Sequence, residues 1–277
     1  MKQNLKYYLK NKLSKRELEL VPTSFDVVGD ILIFSEFPKE LTKKEKIIGQ
    51  TILENYHHIK TILKKTKKYS GKFRTPKLKV IAGENKKETI HKENNVFIKL
   101  NVEKVYFSQR MSSERKRITE LVKPNESILV MFSGSGIYPL VIAKNTKCKE
   151  VYGIEINPTA HKYALENIKK NKMENKVKLF LGDVRKIMPN INKKFERILM
   201  PLPKGGEDFL VLALKYTKNK GIIHFYDFMH EDEFYKAEEK VKYACKKSGK
   251  KYKILGTVKC GQYSPGFYRV CIDFSVD

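Results

Sequence analysis

Three short segments place glycines and carboxylates where a nucleoside-like ligand could be held. Residues 132–136 read FSGSG after an apolar run, and Gly134 and Gly136 let the backbone approach a ligand at a helix start. Glu155 ends the next apolar run, where a carboxylate can accept two ribose hydroxyls. Asp183 follows the third run and is predicted to accept a hydrogen bond from an adenine amine. Each carboxylate alone is more often a helix cap, but the three segments together favour a ligand site. The missing third glycine argues against a dinucleotide.

These segments need a parallel sheet to bring them together. From about residue 102, apolar runs alternate with helical stretches such as 158–171 and 233–247, a pattern typical of strands joined by crossover helices. The predicted strands are SILVMF, VYGIEI, KLFLG, RILMPL, GIIHFYDF, YKILGTV and FYRVCIDF. A short loop at 261–266 joins the last two strands. The sequence therefore predicts an α/β fold, a mostly parallel Rossmann-like sheet of seven strands with one antiparallel strand.

The preceding part of the chain has a different pattern. A basic helical segment at 1–20 is judged too polar to form a core. A small α+β unit follows, with a helix at about 42–64. Its predicted strands are FDVVG, DILIF, LKVIAG, ETIHKE and NVFIKL. We therefore expect two domains, with 1–98 as a small α+β domain behind a basic helix and 99–277 as the Rossmann-like domain.

The composition predicts a polyanionic partner. Lysine and arginine number 57 against 31 acidic residues, a net charge of +26. Such a field favours nucleic acid but does not distinguish tRNA from DNA, and a proteome-wide lysine bias is the alternative. No apolar run approaches the ~20 residues of a membrane span, and the N-terminus lacks an apolar signal core. We expect a cytoplasmic protein.

Several reactive side chains outside the three segments are assigned structural roles. Cys148, Cys245, Cys260 and Cys271 lack metal-ligand spacing, so reduced thiols and no bound metal are expected. A bridge between Cys260 and Cys271 across two strands is a lesser alternative. The pair at 91–92, a histidine and a lysine, is interpreted as a surface turn without a partner.

The chain closely resembles the archaeal and eukaryotic tRNA guanosine-37 N1-methyltransferases and their wyosine-branch relatives, the tRNA 4-demethylwyosine C7-methyltransferases. Besides the cofactor segments, the resemblance is carried by SFDVVGDILIF, GKFRTPKLKVIAGENKKETIHKEN, VEKVYFSQRMSSERKRI, MPLPKGGEDFL and GIIHFYDF. It covers most of the chain from about residue 24. It implies a class I methyltransferase domain, S-adenosylmethionine as cofactor, and methyl transfer to the purine at position 37 of phenylalanine tRNA. The target is N1 of guanosine, C7 of 4-demethylwyosine, or both. A monomer is expected.

The resemblance also implies residue roles. Arg110 and Glu114 take the catalytic positions, where a carboxylate can remove the guanine N1 proton and a guanidinium can stabilise charge on O6. Arg74 would help hold the target base from the small domain and is counted with the catalytic residues. The alternative for Arg110, Glu114, Arg115 and Arg117 is a solvated helix face with salt bridges. The implied cofactor-binding residues are Tyr106, Phe132, Gly134, Gly136, Glu155, Ile156, Asp183, Val184 and Pro201. The implied substrate-binding residues are Arg74, Pro203 and Lys204.

Three departures from the family pattern qualify this assignment. The N1-methylating members carry N-L-P-K after the fourth strand, whereas this chain has P-L-P-K from Pro201, so an amide that could bind guanosine is absent. This change points toward the wyosine branch. Val130 stands where many relatives have Asp in the first strand. The additional N-terminal domain of larger members is also absent, which leaves the basic helix and the small domain to bind phosphates.

Two other functions are weighed against the methyltransferase. A non-catalytic RNA-binding protein on a degenerate methyltransferase fold is suggested by Val130 and Pro201, which replace polar groups. A DNA amino-methyltransferase is suggested by the proline-rich segment after the fourth strand. That chemistry commonly uses an acidic residue or Asn before Pro-Pro-aromatic, which this segment lacks. Glu155 and Asp183 favour a cofactor-binding enzyme over the first alternative.

Overall fold

The computed structural model describes residues 4–277, apart from the side chains of 68–70. These residues form two compact units. The first unit comprises the chain up to Lys92 together with Phe97–Gln109, and the second comprises Glu93–Val96 together with Arg110–Asp277.

The boundary differs from the sequence-based division at residue 98. Residues 99–109 remain with the first unit because they are hydrogen-bonded to it. The Leu78 amide donates to Glu103 Oε1 at 2.8 Å, and Gln109 Nε2 donates to Asp26 Oδ1 at 2.9 Å.

The first unit contains three helices around a small sheet. Its helices are α1 (Leu5–Leu9), α2 (Lys15–Leu20) and α3 (Glu45–Asn55). Its main sheet has the order β1 (Asp26–Val28), β2 (Ile31–Phe34), β3 (Thr61–Ser70) and β4 (Thr75–Gly83). Only the β2–β3 pair of this sheet is parallel. A separate hairpin is formed by β5 (Glu88–Glu93) and β6 (Val96–Asn101), and its tip belongs to the second unit.

The predicted helix at 42–64 is wrong in its second half. The helix α3 ends at Asn55, and the lysine-rich segment Thr61–Ser70 is a strand between β2 and β4. Ile62 and Leu63 are both fully buried in this strand. Pairing on both sides therefore overrides the low strand propensity of the lysines that follow.

The N-terminal segment was also misjudged as too polar to contribute to a core. Leu5, Leu9 and Leu13 are buried, and they share one hydrophobic cluster with Ile48 and Ile52 of α3. Leu5 and Leu9 are four apart and lie on one face of α1, and Leu13 follows the helix, so these three leucines pack the basic segment into the core of the first unit.

The second unit confirms the predicted seven-stranded sheet. Its strands are β7 (Ser127–Val130), β8 (Glu150–Glu155), β9 (Val177–Leu181), β10 (Phe195–Met200), β11 (Thr217–His230), β12 (Tyr252–Ser264) and β13 (Phe267–Val276). Its helices are α4 (Ser112–Leu121), α5 (Ile137–Asn145), α6 (Pro158–Lys170), α7 (Val184–Ile191), α8 (Leu210–Tyr216) and α9 (Phe234–Lys247). The strand order is β12-β13-β11-β10-β7-β8-β9, and β13 is antiparallel to both of its neighbours.

This topology determines where a ligand can bind. Strands β10, β7, β8 and β9 are mutually parallel neighbours, so their carboxyl ends share one edge of the sheet. In open sheets of this kind, ligands bind in the crevice outside that edge. Among the described residues, no helix combines the length and apolar character needed to cross a lipid bilayer.

Candidate active site

The loop between β7 and α5 contains the two predicted glycines. Gly134 has a φ of 57° and Gly136 a φ of 83°, conformations that residues with a side chain rarely adopt. Gly136 is the N-cap residue of α5, and a Cβ there would lie 3.1 Å from Cβ of Ala164 on α6. The loop therefore brings bare backbone to the start of a helix, where N–H groups can face a ligand.

Glu155 ends β8 beside this loop. Its Oε2 accepts a hydrogen bond from the Gly134 amide at 2.7 Å, and its Oε1 accepts one from the Asn157 amide at 2.7 Å. Burial raises the pKa of Glu155, although the backbone hydrogen bonds act in the opposite direction. A carboxylate has about four lone-pair positions, so acceptor capacity remains after these two bonds. The carboxylate is fixed beside the bare loop, and this arrangement fits a ribose-bearing ligand.

Asp183 has the capping role that was weighed as its alternative. Its Oδ1 accepts from the Arg185 amide at 2.9 Å, which caps α7, and its Oδ2 accepts from the Arg185 guanidinium at 2.7 Å. The hydrogen bonds from Arg185 lower the pKa of Asp183. Val184 is packed in the core, so its backbone is the part available to a ligand. Phe132 lies edge-on to Phe209 at 5.1 Å.

The segment after β10 approaches the same edge of the sheet. Pro201 follows the strand directly, and the Leu202 amide donates to the Met200 carbonyl at 2.7 Å. Pro203 is buried and Lys204 is exposed. None of the residues from 201 to 204 carries a side-chain amide, so a purine would meet prolines, an aliphatic side chain and one cation here.

Glu114 lies in the first turn of α4 and is almost fully buried. Its two oxygens accept from Arg117 Nε and Nη2, each at 2.7 Å, and Oε1 also accepts from the Tyr226 hydroxyl at 2.6 Å. Arg115 is buried as well, and its guanidinium donates to both oxygens of Glu93. The alternative of a solvated helix face is therefore wrong for Glu114 and Arg115, whereas Arg110 is exposed.

Arg117 is the first of a series of hydrogen-bonded polar side chains that the sequence did not predict. Its Nη1 donates to Asp273 Oδ2 at 2.6 Å, and Asp273 Oδ1 lies 2.5 Å from His224 Nδ1. His224 Nε2 lies 2.7 Å from Arg197 Nη1, and Arg197 Nε donates to Glu126 Oε2 at 2.7 Å. We call these five side chains the α4 ladder. A possible signal was present, because His224 and Asp273 interrupt apolar strand runs.

Two of the sequence-predicted residues belong to the first unit. Arg74 lies at the turn between β3 and β4, with a φ of 50°, and Tyr106 is partly exposed. His91 is not in a turn, as the sequence had suggested, but in β5. Its Nδ1 accepts from the Gly29 amide at 3.3 Å, and its ring lies edge-on to Phe107 at 5.2 Å.

The four cysteines, all within the described part of the chain, are free thiols. The alternative of a bridge between Cys260 and Cys271 is therefore wrong for this structure. Cys271 is buried, and burial raises the pKa of its thiol.

Comparison with protein families assigns both parts of the chain. Residues 89–255 match the TRM5/TYW2 methyltransferase domain, and residues 5–86 match the TYW2 N-terminal domain. The first match alone covers more than half of the chain.

Several known proteins are similar over most of their length. The tRNA (guanine(37)-N(1))-methyltransferase Trm5b of Pyrococcus abyssi is 41% identical over 92% of this chain and 76% of its own. The tRNA (guanine(37)-N(1))/4-demethylwyosine(37)-methyltransferase Taw22 of Nanoarchaeum equitans is 36% identical over 79% and 87%. A tRNA(Phe) (4-demethylwyosine(37)-C(7)) aminocarboxypropyltransferase of Methanocaldococcus jannaschii is 34% identical over 90% and 96%.

A solved structure of a protein from the same family is also similar to this chain. The crystal structure of Pyrococcus horikoshii TYW2 in complex with MeSAdo superposes with a TM-score of 0.82 and 28% identity, covering 98% of this chain and 97% of that one. The glycine loop, the fixed Glu155 carboxylate and the strand order are consistent with such a ligand. The chain therefore belongs to the TRM5/TYW2 methyltransferase family, whose members use S-adenosylmethionine to modify tRNA.

Proposed function

We propose that the chain transfers a methyl group from S-adenosylmethionine to the purine at position 37 of tRNA. The observation that carries the proposal is the Glu155 carboxylate, fixed against the Gly134 amide in a chain whose relatives act on tRNA position 37. The net charge of +26 suits a polyanionic substrate. The alternative of a non-catalytic RNA-binding protein has no support from the relatives.

The second unit would hold the cofactor mainly through its loops at the sheet edge. Glu155 would accept the ribose hydroxyls, and the bare backbone at Gly134 and Gly136 would approach the ligand. Asp183 would accept from the adenine amine while it shares its oxygens with Arg185. The other proposed cofactor contacts are Tyr106, Phe132, Ile156, Val184 and Pro201. When bound, S-adenosylmethionine supplies an electrophilic methyl group.

Glu114 is proposed as the group that accepts the proton from the target base. If the target is guanine N1, the N1–H bond must break as N1 attacks the methyl carbon, and a carboxylate within hydrogen-bond reach can take that proton. The oxygens of Glu114 already accept from Arg117 and Tyr226. These three bonds leave about one lone-pair position of the carboxylate for the proton of the substrate.

Cationic side chains are proposed to bind the target nucleotide. The exposed guanidinium of Arg110 offers fixed donors for the charge that develops on O6. Arg74 is also proposed to bind the target base, and Lys204 is proposed to contact the nucleotide. An arginine fork suits a purine edge or a phosphate better than a lysine point charge does.

The target atom is proposed to be C7 of 4-demethylwyosine, N1 of guanosine, or both. The absence of a side-chain amide from Pro201 to Lys204 removes one means of binding guanosine. A tricyclic base can instead be held by shape and stacking.

Transfer of the aminocarboxypropyl group to C7 is the second candidate. It is favoured by one specific observation, because the TYW2 N-terminal domain matches residues 5–86 and a 34% identical relative carries that activity in its name. Both reactions start from the same cofactor but break different bonds to its sulfur.

Single-turnover reactions with two labels and two substrates would test the proposal. The purified protein is mixed with phenylalanine tRNA carrying either guanosine or 4-demethylwyosine at position 37. The cofactor is labelled in its methyl group in one series and in its carboxyl carbon in the other. After digestion, the labelled nucleoside is identified, and Glu155→Ala serves as a control that should lose either activity at low cofactor concentration.

Each outcome assigns the reaction. Methyl label in N1-methylguanosine, in a wyosine derivative, or in both supports the proposal and identifies the target atom. Carboxyl label in the nucleoside replaces it with the second candidate. If neither label reaches either tRNA, both candidates are overturned and an RNA-binding protein without transferase activity becomes the better explanation.

The proposal also includes the tRNA substrate, the cellular location and the oligomeric state. We take phenylalanine tRNA as the substrate because the relatives of the wyosine branch include one whose name specifies it. We also propose that the protein acts as a cytoplasmic monomer, and light scattering of the protein alone and with tRNA would test the monomer.

A further inference from the structure

We infer that Asp273 is a positioning residue for Glu114, acting through Arg117. This inference rests on the proposed function, in which Glu114 accepts a proton. Arg117 joins the two carboxylates, because Nε and Nη2 bind Glu114 while Nη1 binds Asp273. The arginine lies on α4 and Asp273 lies on β13, so the bridge ties the first turn of the helix to the sheet.

The geometry explains why Arg117 needs a second carboxylate. Arg117 and Glu114 are three residues apart on one helix, and a pair of that kind stabilises an isolated helix only weakly. A long arginine side chain also loses rotamer freedom when it is held in one geometry. Asp273 is buried and approaches from another element, so it fixes the guanidinium and thereby the orientation of the Glu114 carboxylate.

The rest of the α4 ladder fixes Asp273 in turn. His224 and Asp273 are directly opposite residues of the β11–β13 pair. Burial lowers the pKa of His224, although its contact with Asp273 acts in the opposite direction, and a lowered pKa favours the neutral ring. A neutral ring can donate from Nδ1 to Asp273 and accept at Nε2 from Arg197. Burial opposes the ionised form of Asp273, but hydrogen bonds from His224 and Arg117 outweigh it and lower the pKa of this carboxyl.

Arg197, near the Glu126 end of the α4 ladder, contacts the C-terminal end of α4. Arg197 Nη2 donates to the Leu121 carbonyl, the last residue of α4, at 2.6 Å, and Arg197 also binds Glu126. The helix is thus held to the sheet at both ends. His224, Cys271 and Asp273 bring three atoms of metal-binding type within 4.8 Å of one another, but both ring nitrogens of His224 have protein partners. We therefore interpret the group as a positioning network.

A double-mutant cycle between Glu114→Gln and Asp273→Asn tests the inference. Single-turnover rates are measured at saturating cofactor and tRNA for the wild type, both single variants and the double variant. We expect Asp273→Asn to lower the rate roughly 10-fold or more, because small misplacements of a reacting group cost rate. Its effect on cofactor and tRNA dissociation constants should be within about 3-fold. In the Glu114→Gln background, Asp273→Asn should have little further effect.

Two further variants separate positioning from general destabilisation. Glu150→Gln removes a largely buried carboxylate that pairs with Lys178 and Lys193 at the start of β8, and it should leave the single-turnover rate unchanged. Arg117→Lys keeps the charge but replaces the planar guanidinium, which binds both oxygens of Glu114 and also reaches Asp273, with a single ammonium, so it should lower the rate and show the same lack of additivity with Glu114→Gln. This second variant keeps the test decisive if Asp273→Asn does not fold.

The possible results separate the inference from the proposed role of Glu114. Additive losses in the double variant would overturn the positioning role of Asp273 while Glu114 kept its proposed role. An unchanged rate in Glu114→Gln would remove Glu114 from the mechanism and the inference with it. Loss of rate in Glu150→Gln equal to that in Asp273→Asn would assign both effects to stability and overturn the inference.

Discussion

Glu155 is the last residue of one strand of the second unit and Asp183 follows another, yet the structure gives the two carboxylates different surroundings. Glu155 is partly buried and bound by backbone amides, whereas Asp183 caps a helix and is paired with an exposed arginine. Burial raises the pKa of the first, and Arg185 lowers that of the second. A carboxylate held only by backbone donors is the better acceptor for a neutral ligand hydroxyl, so the two positions should differ in their importance for cofactor binding.

Glu155→Gln should weaken S-adenosylmethionine binding more than Asp183→Asn does. The glutamine cannot accept hydrogen bonds at both ends of its head group, and we expect at least a 10-fold rise in the dissociation constant. In the wild type, affinity should fall as the pH drops through the raised pKa of Glu155, because the protonated acid loses acceptor capacity. Titration calorimetry from neutral to acidic pH measures both effects. If the cofactor affinity of the wild type, like that of Glu155→Gln, did not change with pH, Glu155 would not bind the cofactor in this way. Unchanged tRNA affinity of the variants is the control.

The sequence was sufficient to place Glu155 at the end of its strand but not to predict the α4 ladder, and the reason is physical. Glu155 follows an apolar run that defines its strand, so its place at the sheet edge depends on local pattern. His224 and Asp273 meet because of the β11–β13 register, and they are 49 residues apart. A strand pattern shows which residues share a face but not which residues of two strands lie opposite each other.

At the scale of elements, the apolar runs predicted all seven strands of the second unit. In the first unit, segments rich in charged residues were predicted less accurately. The predicted helix at 42–64 extended into the first residues of β3, Thr61–Lys64, and the basic helical segment at 1–20 was judged too polar for a core. A few buried apolar residues determine the packing of β3 and α1. Leu9 is the clearest example, since it is completely buried within a helix of five residues.

Leu9→Ala should destabilise the first unit by about 2–5 kcal/mol, the usual cost of truncating a buried leucine. Tyr7→Ala on the same helix is the matched control, because Tyr7 is 47% exposed and should change stability much less. Thermal unfolding followed by calorimetry would compare the two variants. If Leu9→Ala and Tyr7→Ala were equally stable, the N-terminal helices would not be part of the core.

At the scale of the whole molecule, the dominant feature is an excess of 26 positive charges over 277 residues. Many lysines are already paired in the structure, as Lys64 and Lys79 are with Glu45 and Lys86 is with Asp30. Paired lysines contribute less to the field around the protein, but there are 26 more cations than carboxylates to pair with them. The excess positive charge is therefore a property of the surface as a whole. We expect it to attract tRNA, the substrate with many phosphates.

Binding of tRNA should depend steeply on salt, whereas binding of the cofactor should not. Each phosphate contact releases condensed counterions, so we expect tRNA affinity to fall roughly 100-fold between about 50 mM and about 200 mM salt. Fluorescence anisotropy with labelled tRNA measures the slope, and the cofactor dissociation constant at the same salt concentrations is the control. A flat salt dependence for tRNA would show that the charge does not drive substrate binding.

The tip of the β5–β6 hairpin limits where the chain can be cut to produce a fragment with an intact second unit. Glu93 lies in this tip, and its carboxylate binds the buried guanidinium of Arg115 through two hydrogen bonds. The chain therefore enters the second unit, leaves it at Phe97 and returns at Arg110. A fragment that began at Arg110 would retain the whole seven-stranded sheet but bury a cation without this carboxylate, a defect that costs several kcal/mol. A fragment that began at residue 89, where the methyltransferase-domain match starts, would keep the pair intact.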